Sequence, residues 1–337
     1  VPFSKEYITT RLCIIPAKLN HMNAKVTDTE LDNNTIIVEN ASQCFDISVW
    51  QFFAALTTGG TVLIYPDDVV MNVESFVQSI IDDKVTVLEV VPSFLNVILG
   101  YIEDKKFEFP CLKYLYVTGE QLNASLVERW FSIYSNVKMV NAYGPTEASD
   151  DITHYIMSSA PGTQRISIGS PIANMNIYIL DNYRNLCPEG IRGEVYVSGI
   201  GVGKGYLNNP EKTKAAFSID PFREGNVPMY ATGDIGEWLE DGTILLWGRK
   251  DYQVKIRGFR IELGEIENTL TSCPGVTMAA VVDKQMDNGE KYLCAYYVAP
   301  ENPGIESIKD YLKQSLASYM IPSAFLCMDS LPLTSNG

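Results

Sequence analysis

Val85-Thr86-Val87-Leu88-Glu89-Val90-Val91 is a β-branched run broken by one acid. Apolar residues fill nearly every position rather than alternate ones. That pattern describes a strand buried on both faces, as in a parallel sheet covered by helices. The flanking segments agree. Upstream, Ser48 to Leu56 is an apolar helix, Thr61 to Tyr65 a short β-rich run after Gly59-Gly60, and Val73 to Ile81 has helical periodicity. Downstream, Ser93 to Tyr101 is helical, Leu112 to Val117 a strand, and Ala124 to Tyr134 an amphipathic helix. Val137 to Val140 then leads into the Tyr143-Gly144-Pro145 loop. Strands alternating with helices of this length imply βαβ units around a parallel sheet.

Further along, the pattern changes. From about residue 165 to 250 short β runs are punctuated by glycine and proline, which predicts a β-rich subdomain shaped as a distorted barrel. After Asp251 comes a small α+β unit. Its helix starts near Glu262, its strands lie near Met278 to Val282 and Tyr292 to Val298, a second helix near Ile305 to Leu316, and a last strand near Phe325. The expected fold is thus α/β: a parallel-sheet βαβ part over 1–165, a β-rich part over 166–250 and a small α+β part over 251–337.

Bulk properties narrow the function. The formal net charge of -15 argues against nucleic acid and membrane surfaces as partners. No apolar run is long enough to cross a membrane, and no basic start followed by an apolar core reads as a signal peptide. Seven scattered cysteines without a C-x-x-C pair read as reduced thiols of a cytoplasmic protein. With His21 and His154 the only histidines, a histidine-rich metal site is excluded, and a Ser-His-Asp triad has no nucleophile elbow to support it.

Against that acidic background, Gly248-Arg249-Lys250-Asp251-Tyr252-Gln253-Val254-Lys255-Ile256-Arg257-Gly258-Phe259-Arg260 is a cationic ribbon that calls for an anion, and a phosphate suits it best. Two more segments belong with it. Asn141-Ala142-Tyr143-Gly144-Pro145-Thr146-Glu147 is a strand, a rigid turn and an acid. A flat ring suits a purine and hard oxygens suit Mg²⁺, although alone the segment reads equally as a Gly-Pro turn with an incidental acid. Tyr230-Ala231-Thr232-Gly233-Asp234 ends in a carboxylate able to accept two vicinal hydroxyls, although Gly-Asp is also common in turns.

Together the three segments resemble the adenylate-forming superfamily, specifically the amino-acid-activating adenylation domains of nonribosomal peptide synthetases. The resemblance spans about residues 19 to 337. It implies ATP and Mg²⁺ as cofactors, with Tyr143 stacked on adenine, Asn141 at its base, Thr146 at the α-phosphate and Glu147 on the metal. Asp234 and Arg249 then take the ribose, and Gly119, Ala142, Gly144 and Lys255 complete the nucleotide set. Asp251 matches the hinge about which the small C-terminal part swings, though a loop cap would look the same. The run Gly199-Ile200-Gly201-Val202-Gly203-Lys204-Gly205 is structural in this family, and Tyr206 to Pro210 opens no immediate helix, so a dinucleotide fingerprint fails.

On the substrate side, Asp46 opens the apolar helix of Phe45-Asp46-Ile47-Ser48-Val49-Trp50. Its residue type alone reads as an N-cap; the resemblance implies a partner for the α-ammonium of an amino acid. Ile47, Trp50, Glu89, Tyr116, Thr118, Ala142, Asp150 and Asp151 line the side-chain pocket by the same resemblance. A carboxylate in a buried strand is costly unless paired, and the Val85 to Val91 strand carries no cation of its own. The expected substrate is therefore basic: ornithine, lysine, diaminobutyrate or arginine. Alternatively, Glu89 faces solvent at a strand end or pairs with a distant lysine. The resemblance implies a peptidyl carrier protein domain as acceptor, with a condensation domain and a small accessory protein as further partners. It also places a glycine-rich phosphate loop upstream of the helix resembled by Leu19 to Lys25, where Phe3 to Pro16 is glycine-free, and a lysine just after Asn336-Gly337. The expectation is a partial adenylation domain. The rival readings are a degenerate nucleotide-binding scaffold and an acyl- or aryl-CoA synthetase, the latter disfavoured by Asp46.

Overall fold

The computed structural model describes residues 30–105, 107–250, 253–286, 290–300 and 303–331. It divides into two units, Val1–Lys250 and Asp251–Gly337. The first element among the described residues is a strand that the sequence pattern does not mark, β1 (Ile36–Glu39), followed by helix α1 (Ile47–Thr57) and β2 (Thr61–Ile64). Then come α2 (Val73–Asp82), β3 (Val87–Val90), α3 (Pro92–Ile102), β4 (Tyr114–Val117), α4 (Ala124–Ile133) and β5 (Lys138–Tyr143). Two further strands, β6 (Thr153–Met157) and β7 (Ser170–Pro171), complete a seven-stranded sheet of order β2-β1-β3-β4-β5-β6-β7. Pairing is parallel from β2 through β5 and antiparallel at β6 and β7.

Local chemistry sets the helix starts. Asn72 caps α2 by accepting the Ser75 N–H, and Pro92 occupies the first turn of α3, where no N–H is needed. The strands bury both faces. Leu88, Val90, Leu115, Val117 and Met139 pack under α2, α3 and α4, whereas Ile37, Val87, Tyr114, Tyr116, Val140 and Ala142 pack against Trp50, Ala54 and Ala55 of α1. With a side-chain period of two, Glu89 shares the α1 face with Val87. In the first of these cores Tyr134 donates to the Phe107 carbonyl at 2.8 Å, and burial raises its pKa from 10.0 to about 12. Above pH 10 the unfolded chain releases this proton while the folded chain keeps it. Stability should therefore fall as pH rises from about 10 to about 12. Alkaline melts of Tyr134→Phe should show a shallower decline than the parent; an identical slope would refute this.

The β-rich part is a five-stranded antiparallel sheet. It comprises β8 (Met175–Leu180), β9 (Gly193–Gly199), β10 (Phe217–Ile219), β11 (Pro228–Trp238) and β12 (Ile244–Arg249). Its register shifts between Ala231 and Ile235 against β9 and between Ile235 and Gly236 against β12, which bends the sheet around Asp234. A helix does follow the glycine run: Pro210–Ala216 starts four residues after Tyr206, capped by Asn209 on the Lys212 N–H. The sequence reading places none there; the Asn-Pro pair that starts it is equally a turn signal.

The second unit begins with the hairpin β13 (Gln253–Ile256) and β14 (Phe259–Glu262), in which Lys255 stands opposite Arg260. Helix Leu263–Thr271, strands β15 (Met278–Gln285) and β16 (Lys291–Val298), helix Ile305–Leu312 and strand β17 (Ala324–Cys327) follow. The helices cover the sheet through Ile266, Leu270, Ile308 and Leu312, all fully buried. This matches the α+β expectation. Asp251, the residues 1–25 discussed for the phosphate loop, and Asn336-Gly337 lie outside the described residues. Among those described, no helix is long and apolar enough to cross a membrane.

Candidate active site

Parallel strands place their carboxyl ends along one edge, and β1, β3, β4 and β5 all finish there. The ends of β3, β4 and β5 each carry one or more of the expected residues. After β4 come Thr118 and Gly119, the latter at φ 87°, a left-handed turn suited to glycine. After β5 the chain turns at Gly144 and makes a single 3₁₀ turn over Thr146–Ala148. It then passes through two left-handed non-glycine residues, Ser149 (φ 70°) and Asp150 (φ 84°), a conformation that costs on the order of 1–3 kcal/mol per residue. Among the contacts that hold it are the Ile152 N–H to the Tyr143 carbonyl at 2.7 Å, the Ser149 hydroxyl to the Gly201 carbonyl at 2.6 Å, and the Thr118 hydroxyl to Asp151 at 2.8 Å.

Three of the expected nucleotide residues, Tyr143, Asp234 and Arg249, meet where the two sheets of the first unit adjoin. Tyr143 Oη donates to Asp234 Oδ2 at 2.5 Å, and Arg249 Nη1 donates to Asp234 Oδ1 at 2.9 Å and to the Thr232 carbonyl at 3.2 Å. Thr232, a residue the motif reading leaves without a role, is the anchor beneath. Its hydroxyl donates to the Val195 carbonyl at 2.8 Å and accepts the Asp234 N–H at 3.0 Å. Burial, then the Asp234 charge, raises the Tyr143 pKa well above its ordinary value, so this hydroxyl stays a donor. Asn141, at the β5 end, donates to the Ser167 carbonyl at 2.7 Å. Thr146 is exposed on the turn.

Glu147 is gripped by the glycine run. Its carbonyl accepts the Gly203 N–H at 2.8 Å, and its Oε1 accepts the Tyr206 hydroxyl at 2.7 Å, with Tyr230 Oη 3.4 Å from Tyr206. The run is a connection between strands, as expected. It also aims the acid, which a glycine count cannot reveal. Burial, then the Glu147 carboxylate, raises the Tyr206 pKa, keeping the proton on the phenol. Among the described residues no cluster of three or more His, Cys, Asp or Glu could hold a metal. One aimed carboxylate is what Mg²⁺ needs when phosphates and water supply its other ligands, so Glu147 fits that role.

Asp46 caps α1, its Oδ1 accepting the Ile47 N–H at 3.0 Å, so the capping reading is realised at the same edge of the sheet. Trp50 lies with its ring centroid 5.1 Å from that of Tyr116, which meets His154 edge-on at 5.6 Å. Ile47 is half-buried, and Thr118 and Ala142 are buried. Glu89 is 0% exposed, which corrects the alternative of a solvent-facing strand end. Gln51 Nε2 donates to its Oε2 at 3.3 Å. Asp150 and Asp151 are 6% and 1% exposed, so the acidic pair is inside and not on a solvated loop. Glu39, at the end of the unmarked strand β1, is 5% exposed. Lys255 stands on the hairpin of the second unit, where Arg257, also of the cationic ribbon, pairs with Glu290 at 2.5 Å. Arg249 and Arg257 thus each meet a carboxylate of the protein itself.

The AMP-binding enzyme family model matches residues 14–207, more than half of the chain, and the AMP-binding enzyme C-terminal domain matches 265–337. The chain belongs to the AMP-binding enzyme family. Within this family it is 40% identical to gramicidin S synthase 2 of Brevibacillus brevis over 322 residues, which is 95% of this chain and 7% of that protein. It also matches the structure of holo-AB3403, a four-domain nonribosomal peptide synthetase bound to AMP and glycine. There the TM-score is 0.64 with 32% identity, over 95% of this chain and 24% of that one. A third match is holo-PA1221, a synthetase protein containing adenylation and PCP domains, with a TM-score of 0.82 and 25% identity over 91% of this chain and 52% of that one. The AMP-binding fold described here accordingly spans a small share of the longer relatives.

Proposed function

We propose that this AMP-binding chain is the adenylation part of a nonribosomal peptide synthetase. It activates a basic amino acid as its adenylate and passes it to the phosphopantetheine thiol of a carrier domain. The observation that carries the reading is the Tyr143–Asp234–Arg249 network at one sheet edge, with Asp46 and the buried acid Glu89 placed along the same edge. In this reading Tyr143 offers its ring to adenine, and Asp234 and Arg249 hold the ribose. Asp46 pairs with the α-ammonium. Asn141, Ala142, Gly144 and Gly119 let the backbone approach the base, and Thr146 hydrogen-bonds the α-phosphate. Glu147 would hold Mg²⁺, which supplies charge neutralisation on the phosphates. The amino-acid carboxylate displaces pyrophosphate at the α-phosphorus, so the protein needs to position and neutralise and needs no covalent nucleophile.

The side chain is read against Trp50, Tyr116 and Ile47 on the apolar side and Glu89, Asp150 and Asp151 on the acidic side. A fully buried carboxylate favours a cationic occupant strongly, since attraction grows as water is excluded. We assign residues 1–165, 166–250 and 251–337 to the pocket-bearing α/β part, the β-rich part and a small part that moves about Asp251 and presents Lys255. A cytoplasmic location, a condensation domain and an accessory protein belong to the same reading. The test is thermal stabilisation by non-hydrolysable aminoacyl-sulfamoyl-adenosines. Lysyl, ornithyl and arginyl analogues should stabilise more than leucyl and phenylalanyl ones; a ligand at about 100 times its Kd adds roughly 2.7 kcal/mol. A larger shift with the apolar analogues would remove the basic substrate and keep the nucleotide site.

A further inference from the structure

Gln51 lies in an apolar helix and is 0% exposed. Its Oε1 accepts two backbone donors, the Asn40 and Ala41 N–H groups, both at 3.1 Å. That double acceptance fixes the amide's orientation, because the flipped amide would set its own N–H₂ against two N–H groups. Nε2 is therefore turned to Glu89, whose Oε2 accepts it at 3.3 Å. Gln51 thus ties the loop leaving β1, the helix α1 that starts at Asp46, and the acid on β3 into one unit.

A second acid stands beside it. Ile37 pairs with Val87 across β1 and β3, and two residues further along both strands the same face carries Glu39 and Glu89. Glu39 has a buried Oε1 with no hydrogen-bond partner. Burial, then the Asp67 carboxylate, raises its pKa above the usual value, so it holds its proton more tightly than an ordinary glutamate. Glu89, by contrast, has a carboxylate oxygen held by an N–H donor whose own orientation is fixed by the β1 loop.

We propose that Gln51 is a positioning residue for substrate selection: it fixes the aim of the Glu89 carboxylate, so that the pocket prefers a cationic side chain. This rests on the basic-substrate reading above and adds to it the group that acts through Glu89. The test measures Kd for ornithyl- and leucyl-sulfamoyl-adenosine with the parent, Gln51→Met, Glu89→Gln and the double variant. Gln51→Met should lower the ornithyl-over-leucyl preference about tenfold, the scale of one lost hydrogen bond to a charged group. Leucyl affinity should stay within about threefold. In the Glu89→Gln background Gln51→Met should change the preference no further, since contacting residues acting through one group are non-additive.

Equal weakening of both analogues by Gln51→Met, or the same loss of preference with and without Glu89, would show that Gln51 serves only the loop and would overturn the proposal. An unchanged preference in Glu89→Gln would sink the basic-substrate reading itself, a result separable from the first. Should Gln51→Met not melt cooperatively, Gln51→Asn replaces it, because an amide one methylene shorter cannot span both the loop and the acid. The same outcomes apply.

Discussion

Gly144→Ala should give a protein that melts well below the parent and is no longer stabilised by any aminoacyl-sulfamoyl-adenosine. A Cβ at this position would lie 1.7 Å from the Asp150 carbonyl oxygen and 2.6 Å from the Asp151 Cα, both backbone atoms that no rotamer change can move aside. The segment they belong to is already strained at Ser149 and Asp150, and it is held by the Ile152–Tyr143 backbone bond and the Thr118–Asp151 contact. Relief must therefore displace Asp150 and Asp151 from their buried places, Tyr143 from Asp234, or both. The expected cost is on the order of 3 kcal/mol or more, as for other overpacked interiors. With an unfolding entropy of about 2.1 cal/mol/K per residue, that lowers Tm by roughly 4–6 °C. Calorimetry and analogue titration check it together; a Tm within about a degree of the parent and intact binding would show that the turn can open without harm.

Asp234→Ala is the second large effect. Asp234 and Arg249 are mostly buried side chains, and removing the carboxylate leaves the guanidinium and the Tyr143 hydroxyl without the acceptor at 2.9 and 2.5 Å that they now share. Losing one partner of a largely buried pair costs about 3 kcal/mol. In the proposed function the ribose hydroxyls of the analogue lose their acceptor as well, so affinity should fall about a hundredfold or more, the scale of two hydrogen bonds to a charged group. Tyr143→Phe separates the two consequences: it removes a single O–H donor and keeps the carboxylate, so stability should drop by about 1 kcal/mol and affinity by far less than for Asp234→Ala. If the two variants bound the analogues equally well, Asp234 would have only a structural role.

Much of this fold is legible because its strands are buried on both sides. Val85 to Val91 must be apolar throughout, and the helices between strands carry their own period. β1 escapes because Ile36–Glu39 is four residues long, follows a polar turn, and ends on an acid whose burial the pattern contradicts. The chemistry-bearing segments around Tyr143, Asp234 and Arg249 are legible as motifs, and their meeting through Asp234 adds what motifs cannot supply, the geometry between distant stretches. Gln51 and Tyr206 are illegible for a different reason. Each acts on a residue far along the chain, Glu89 or Glu147, from inside a segment whose composition already has a sufficient explanation as apolar helix or glycine-rich connection. Asp46 shows the opposite limit: a cap and a ligand for an ammonium ask for the same residue, and here the cap is made.

The junction between the two sheets of the first unit has a consequence for exchanging parts between proteins of this type. Ile244 is its rivet: its carbonyl takes the Ile168 N–H at 2.9 Å and the Ser167 hydroxyl at 2.8 Å, and its N–H reaches the Gly169 carbonyl at 2.9 Å, while Ser167 also receives Asn141. The residues that would read the side chain all fall between Asp46 and Asp151, on one continuous stretch, so a transplanted cassette could carry the whole acidic pocket. The proposed grip on the nucleotide is cut by the same scissors, since Tyr143 travels with the cassette and Asp234 and Arg249 stay behind. A graft that ends before Ser167 must therefore rebuild the rivet from mismatched halves, whereas one extended through Arg249 moves lock and key together.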